Sequence, residues 1–238
     1  MRIKLFTIPN CITLLNLLCG MGSIVASLVY GNLQLAFLLI CASAVCDFMD
    51  GLSARLLGQY SAIGVQLDSL ADMVSFGVAP SVALSVLCGA MPSAFALPES
   101  WLDILCYVPF IIAAFSALRL AKFNIDDTQH EEFCGLPTPA SAILCLSVAG
   151  LCERYEIVIE VEWLLLVSVI MAVLLISPIK MFSFKFHEWG LGNNDNKLRF
   201  AFLIVSCLLA CLFRLYAIPA IIVLYIATST VRWIVQKK

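Results

Sequence analysis

Charge is what this sequence has least of. Only 13% of its 238 residues are charged, about half the share found in soluble domains, while 62% are hydrophobic. The 14 basic and 16 acidic residues cannot cover a soluble protein of this size while so many long apolar runs need burial. A water-soluble globular fold is excluded, and lipid is the expected solvent. C-x-x-C pairs are also absent. The 11 cysteines stand mostly alone inside apolar runs, as small hydrophobes rather than a disulfide or metal framework, which fits a reducing cytoplasmic face. Repeats, low-complexity tracts and a soluble domain are missing too, so residues 1–238 are expected to form a single integral membrane domain.

Eight apolar stretches approach the roughly 20 residues that cross a bilayer, some of them only with tilt or polar ends. They are Cys11 to Tyr30, Leu33 to Leu57, Leu70 to Ala90, Leu102 to Ala121, Pro137 to Cys152, Trp163 to Ile179, Leu198 to Phe213 and Leu215 to Val235. The fold class expected is therefore an all-α polytopic membrane bundle of about eight transmembrane helices. The last two stretches are separated only by Arg214, the weakest of the boundaries. An even count puts both termini on one side. If that side is cytoplasmic, 12 of the 14 basic residues lie at or near it, and only Arg154 and Arg214 fall outside. This is a positive-inside bias. The first run is longer than a signal-peptide core, follows directly on Asn10 and carries Thr13 and Asn16. Residues 1–10 read instead as a cytoplasmic interfacial segment, from the basic and apolar alternation of Met1 to Phe6.

Against this apolar background stand Asp47, Asp50, Asp68 and Asp72. An ionised carboxylate at membrane depth costs several kcal/mol unless compensated, so such residues are functional candidates. Asp47 and Asp50 are three apart and Asp68 and Asp72 four apart, so each pair shares one face of its helix. Two helices can then aim four carboxylates at one point. Arg55 is the only cation nearby, and a hard divalent ion, Mg²⁺ or Mn²⁺, is the natural counterion. The small residues Gly51, Ala54 and Gly64 permit close approach, either between helices or to a ligand.

From Asp47 to Asp72 the chain reads D-x2-D-G-x2-A-R-x8-G-x3-D-x3-D without exception. This stretch, 47–72, resembles the signature of the CDP-alcohol phosphatidyltransferase family, in which an alcohol attacks the diphosphate of a CDP-linked substrate and CMP leaves. The resemblance implies that Asp47, Asp50, Asp68 and Asp72 bind metal and that Asp72 also takes the proton of the acceptor hydroxyl. It implies a nucleotide-binding surface at Gly51, Ala54, Arg55 and Gly64. Thr13 and Asn16, one turn apart, either line the same cleft or hydrogen-bond between helices. Phosphoryl transfer needs an electropositive clamp and an oriented nucleophile more than covalent help, and the cluster suits that need.

Outside the signature, Ile8-Pro9-Asn10 with Thr13 to Asn16 and Cys19-Gly20, then Ser75 to Pro80, Arg119 to Asn124 and Phe133 to Ala140, are similar to the branch of the family whose acceptor is serine. The substrates implied are CDP-diacylglycerol and L-serine, within membrane lipid, and the assembly implied is a homodimer in the inner membrane with its active site facing the cytoplasm. Nucleic acid is not an expected partner. Arg119 and Lys122 could meet the serine carboxylate and Asn124 its ammonium, although Arg119 could equally snorkel to the interface. Lys185 could reach a diphosphate or anionic headgroup, or simply set topology. Glycerol-3-phosphate or an inositol-type acceptor is the alternative within the family, and a cation transporter the alternative outside it. His130 and His187 are the only histidines, and neither begins an H-x-K-x4-D pattern, which sets aside a covalent phosphohistidine route.

Overall fold

The structure, a computed structural model, describes residues 5–95, 98–125, 133–181 and 194–236. Lys185, residues 1–4 and both histidines lie outside the described residues.

Helix α1 (Ile8–Leu28) starts where the Thr7 hydroxyl accepts the Asn10 N–H at 3.3 Å and Pro9 occupies the first turn. Helix α2 (Leu33–Leu57) starts at Asn32, whose side chain accepts the Leu35 N–H at 2.7 Å, and stops at Gly58 in the left-handed conformation. Residues 58–61 then turn the chain straight into α3 (Ala62–Asp72), capped by the Ser61 hydroxyl on the Gly64 N–H at 3.0 Å. These caps close a tight hairpin. It folds the aspartates of α3 back against those of α2.

After Asp72 the helix does not stop but widens into a π-helical segment, Met73–Val78, before continuing as α4 (Ala79–Ala90). Pro80 supplies no N–H to this ladder, and the Ala79 N–H reaches back five residues to the Val74 carbonyl. A short α5 (Glu99–Leu105) precedes α6 (Phe110–Ile125). Strand β1 (Phe133–Cys134) follows, then α7 (Thr138–Tyr155), α8 (Val161–Ile176) and β2 (Lys180–Met181), with β1 and β2 paired antiparallel. Last come α9 (Asn194–Phe213), the 3-10 turn Arg214–Tyr216 and α10 (Ala217–Gln236).

Among the described residues, five helical stretches are long and apolar enough to cross a membrane, namely Ile8–Leu28, Leu33–Leu57, Ala62–Ala90, Ser100–Ile125 and Ala217–Val235. Val161–Ile176 and Phe200–Phe213 are shorter apolar helices. The protein is an all-α polytopic membrane protein, and each of the eight stretches expected from sequence has a helical counterpart. Boundaries moved where polar residues sit inside a helix. The third stretch begins at Ala62 rather than Leu70, because Gln66, Asp68 and Ser69 interrupt the hydropathy but not the helix. Arg214, at φ 50°, does separate the last two.

Helix α7 is deeply enclosed, packing against α2, α4, α8 and α10 through Ser141, Ala142, Ser147, Ala149 and Gly150. Its small residues let neighbours approach closely. One apolar core joins α1, α2, α4, α7 and α8 around Ile40, Phe76 and Leu146, and a second joins α4, α6, α7 and α8 around Ile112, Leu136 and Leu175. Outward faces remain apolar at Leu18, Leu38, Val45, Leu118 and Val173, as lipid contact requires.

Polar bonds mark two ends of the bundle. At one, the Gln34 N–H donates to Glu153 at 2.7 Å and the Ser93 hydroxyl to Glu162 at 2.6 Å. The other end holds the start of α1, the end of α2, the start of α3 and the end of α6. All four signature aspartates belong to that end.

Candidate active site

Asp47, Asp50 and Asp68 each offer a carboxylate oxygen, and these oxygens lie within 4.8 Å of one another. Asp50 is 6% exposed. Its Oδ2 and the Oδ1 of Asp68 are buried without a hydrogen-bond partner. Three anions this close repel by about 3 kcal/mol per pair even at an effective dielectric of 20, so the set is not at rest without a positive charge among its oxygens. An all-oxygen donor set with two unsatisfied buried oxygens fits a hard divalent cation.

The cluster opens on a cleft of about 200 Å³ walled by α1, α2 and α3. Asp50 and Asp68 reach its floor, and Thr13, Gly51, Ala54, Arg55 and Gly64 line it. The Thr13 hydroxyl donates to the Pro9 carbonyl at 3.1 Å and also lies against Asp50. A side chain on Gly51 would meet nothing within 4 Å, so this glycine faces open cleft, whereas one on Gly64 would press on Ser61 and Asn10 at 3.1 and 3.2 Å. Arg55 is exposed at the rim. Five of the six residues expected to form a nucleotide surface therefore line one cleft. Asn10, Tyr60 and Ser61 line it as well and were not picked out from sequence as site residues. Asn10 stands three residues before Thr13, on the same face of α1, and that spacing was the available signal.

Asn16 is placed differently. It is wholly buried (0% exposed), is not among the residues lining the cleft, and donates from Nδ2 to Asp72 Oδ1 at 3.2 Å. Asp72 is 9% exposed and stands apart from the three-carboxylate set, within electrostatic range of Asp47 and Asp68.

On the far side of Asp72 lies Arg119 of α6. Its Nε is buried without a hydrogen-bond partner, and its charge is felt by Asp72 and Tyr225. Arg119 and Lys122 line a second cavity of about 280 Å³ with Phe123, Cys134, Leu175 and Ile176. Cys134 brings the paired strand β1 to the edge of that cavity, and the chain turns there at Gly135, φ 81°, where any side chain would run into the Leu175 carbonyl. Asn124 does not line it. Its amide exchanges hydrogen bonds with the Ser69 hydroxyl at 2.8 and 3.2 Å, tying the end of α6 to the turn that carries Asp68. A third cavity, about 80 Å³ between Gln34, Phe37, Gly150 and Arg154, lies at the opposite end of the bundle.

The match to known proteins covers this construction. The family model for CDP-alcohol phosphatidyltransferase matches residues 6–176, from the residue before the α1 cap to the end of α8. The chain belongs to the CDP-alcohol phosphatidyltransferase family. Among curated members, a CDP-diacylglycerol--serine O-phosphatidyltransferase of Helicobacter pylori (strain J99) is 34% identical over 236 residues, spanning 97% of this chain and 92% of that protein. The protein of the same name from Bacillus subtilis (strain 168) is 40% identical over 142 residues, 59% of this chain and 73% of that protein. That of Methanocaldococcus jannaschii is 34% identical over 177 residues, 74% of each chain. All four signature aspartates of this phosphatidyltransferase, the cleft, the Arg119 cavity and the β1–β2 clasp are at or near the matched segment. All of α9 and α10 lies beyond it.

Proposed function

We propose that this enzyme transfers the phosphatidyl group of CDP-diacylglycerol to the hydroxyl of L-serine, forming phosphatidylserine and releasing CMP. The observation that carries the reading is the order of groups along one end of the bundle: cleft, three-carboxylate cluster, Asp72, then the Arg119 cavity. A donor diphosphate over the cluster and an amino-acid acceptor beside Arg119 would meet at Asp72. The serine-specific names of relatives that span nearly the whole chain agree with it.

Asp47, Asp50 and Asp68, with Asp72 adjoining, are the residues that would hold Mg²⁺ or Mn²⁺. When bound, such an ion neutralises diphosphate charge and eases departure of CMP. Thr13, Gly51, Ala54, Arg55 and Gly64 receive the cytidine diphosphate, with Arg55 on phosphate. Arg119 and Lys122 take the serine carboxylate by charge-assisted hydrogen bonds. Asp72 accepts the serine hydroxyl proton as the new serine O–P bond forms and the P–O bond to CMP breaks, the electron pair leaving with CMP. Lys185 contributes charge to the diphosphate or headgroup. Asn124 keeps α6 and α3 in register rather than meeting the ammonium.

This end of the bundle and both termini lie on the cytoplasmic side of the cell membrane, a reading supported by the bias of the basic residues. The enzyme acts as a homodimer, each protomer a single membrane-embedded catalytic domain.

The test is CMP release from CDP-diacylglycerol by purified enzyme with Mn²⁺ or Mg²⁺, comparing serine, glycerol-3-phosphate and inositol. Release with serine alone is expected. Release only with another acceptor would overturn the acceptor assignment, and none with any would overturn the transferase.

A further inference from the structure

The polar residues behind Asp72 form a line that the transfer reaction as described does not use. Asn16 of α1 is 0% exposed, as are Ser43 of α2 and Ser75 of the π segment. The Ser43 hydroxyl donates to Asn16 Oδ1. The Ser75 hydroxyl donates to the Asn16 backbone carbonyl at 3.1 Å. Asn16 Nδ2 donates onward to Asp72 Oδ1 at 3.2 Å. Three helical segments thus meet at Asn16, Ser75 on its main chain and Ser43 on its side-chain amide, and that side-chain amide ends on one oxygen of one carboxylate.

The direction of this line is fixed by chemistry. An asparagine amide can turn end for end, but a turned Asn16 would aim its oxygen at the Asp72 carboxylate and lose that bond to meet a like partial charge, while the Ser43 hydroxyl could bond either end. The carboxylate therefore sets which end of the amide faces it, and Ser43 anchors the other end from α2. Other buried hydroxyls between α1 and α2 do ordinary packing work: Ser23 donates to the Ala36 carbonyl at 3.0 Å and Ser27 to the Ser23 carbonyl at 3.0 Å. Neither leads to the site.

A carboxylate with two free oxygens can rotate and present either of them, or neither, to an incoming hydroxyl. With Oδ1 occupied by Asn16, Oδ2 is the oxygen left to receive a proton, at an orientation set by the helices. We propose that Asn16, anchored by Ser43, is a positioning residue that aims Asp72 Oδ2 at the acceptor hydroxyl. The inference rests on the reading of Asp72 as the base. Because Asp72 adjoins the tight carboxylate set without belonging to it, metal affinity is the readout that separates positioning from metal binding.

Loss of a hydrogen bond to a charged group weakens the interaction by about 10- to 100-fold, and loss of one between neutral groups by about fivefold. The purified full-length enzyme would be compared with Asn16→Leu, Ser43→Ala, Asp72→Asn and the two double variants carrying Asp72→Asn, using radiolabelled serine so that slow turnover remains measurable. Ser43→Ala removes one oxygen and keeps the helix packing, so it reports even where Asn16→Leu folds poorly. The expected result is a kcat lowered at least tenfold by Asn16→Leu and about fivefold by Ser43→Ala, with KM for both substrates within twofold of the wild type. In the Asp72→Asn background both losses should vanish, since the residue through which they act is gone. Mn²⁺ affinity, read by electron paramagnetic resonance, should stay within twofold for both single variants. Losses that persist on top of Asp72→Asn, or Mn²⁺ affinity falling in step with kcat, would overturn the positioning role and leave Asp72 as base. Full activity in Asp72→Asn itself would overturn the base, and this inference with it.

Discussion

Gly20→Ala is a one-carbon change far from any reacting atom, yet the structure predicts that it damages both stability and turnover. A Cβ built on Gly20 would overlap the Ser75 hydroxyl and lie 2.7 Å from the Ser75 Cα. Carbon atoms prefer about 3.5–4.0 Å, so α1 and the π segment must part by roughly 1 Å. Overpacking of this kind costs about 1–3 kcal/mol. The site is affected because Gly20 stands one turn after Asn16, and Ser75 one turn after Asp72. Parting the two segments stretches the 3.2 Å bond between Asn16 and Asp72 beyond hydrogen-bonding range. Misplacement by about 1 Å can cost on the order of 100-fold in rate. The measurement is the melting temperature in detergent together with serine-dependent CMP release. Gly22→Ala is the control, since its new carbon would find Leu39 at 3.4 Å, an ordinary contact. A Gly20→Ala enzyme that melts and turns over like the Gly22→Ala enzyme would refute this account of the α1–π contact.

Other substitutions separate the parts of the site. Gly51→Leu should leave the melting temperature unchanged, because that position faces open cleft, while abolishing binding of CDP measured by calorimetry. Arg119→Gln should raise KM for serine about 10- to 100-fold, the value of a charge-assisted hydrogen bond, and leave KM for CDP-diacylglycerol within twofold; a shift of the second constant alone would move Arg119 out of the acceptor site. Asn124→Ala breaks the tie between α6 and Ser69 and should lower stability by about 1 kcal/mol with a smaller effect on serine KM than Arg119→Gln, as thermal melts and steady-state kinetics would reveal.

Much of this arrangement was legible before any coordinates. Scarce charge, eight apolar stretches and the spacing of four aspartates imply a membrane bundle with a carboxylate cluster at one end, because hydropathy and helical periodicity are local properties. The 8-position signature also marks Gly51, Ala54, Arg55 and Gly64, which the structure gathers with Thr13 around one cleft. What was not legible depends on which helices touch. Asn16 and Thr13 are alike by spacing, but one turn of α1 separates a residue on the cleft from one buried behind Asp72. Ser43 is a small hydroxyl in an apolar run, indistinguishable in sequence from the packing serines Ser23 and Ser27, and Ser75 opens a motif that marked the branch without marking its bond to Asn16. The π segment after Asp72 hides in an unbroken hydrophobic stretch, with Pro80 as its only local sign. Asn124 lies within a motif that suggested acceptor binding, and only the approach of α6 to α3 shows its bond to Ser69.

The central claim is that carboxylates from α2 and α3 together hold the divalent ion over which the CDP diphosphate sits. Mn²⁺ titration of the purified enzyme by electron paramagnetic resonance, with and without CDP, tests it directly when wild type is compared with Asp50→Asn and Asp68→Asn. The account predicts bound Mn²⁺ whose spectrum changes on adding CDP, with affinity at least tenfold weaker in either variant. Equal Mn²⁺ affinity in all three proteins, or a bound-ion spectrum indifferent to CDP, would contradict it.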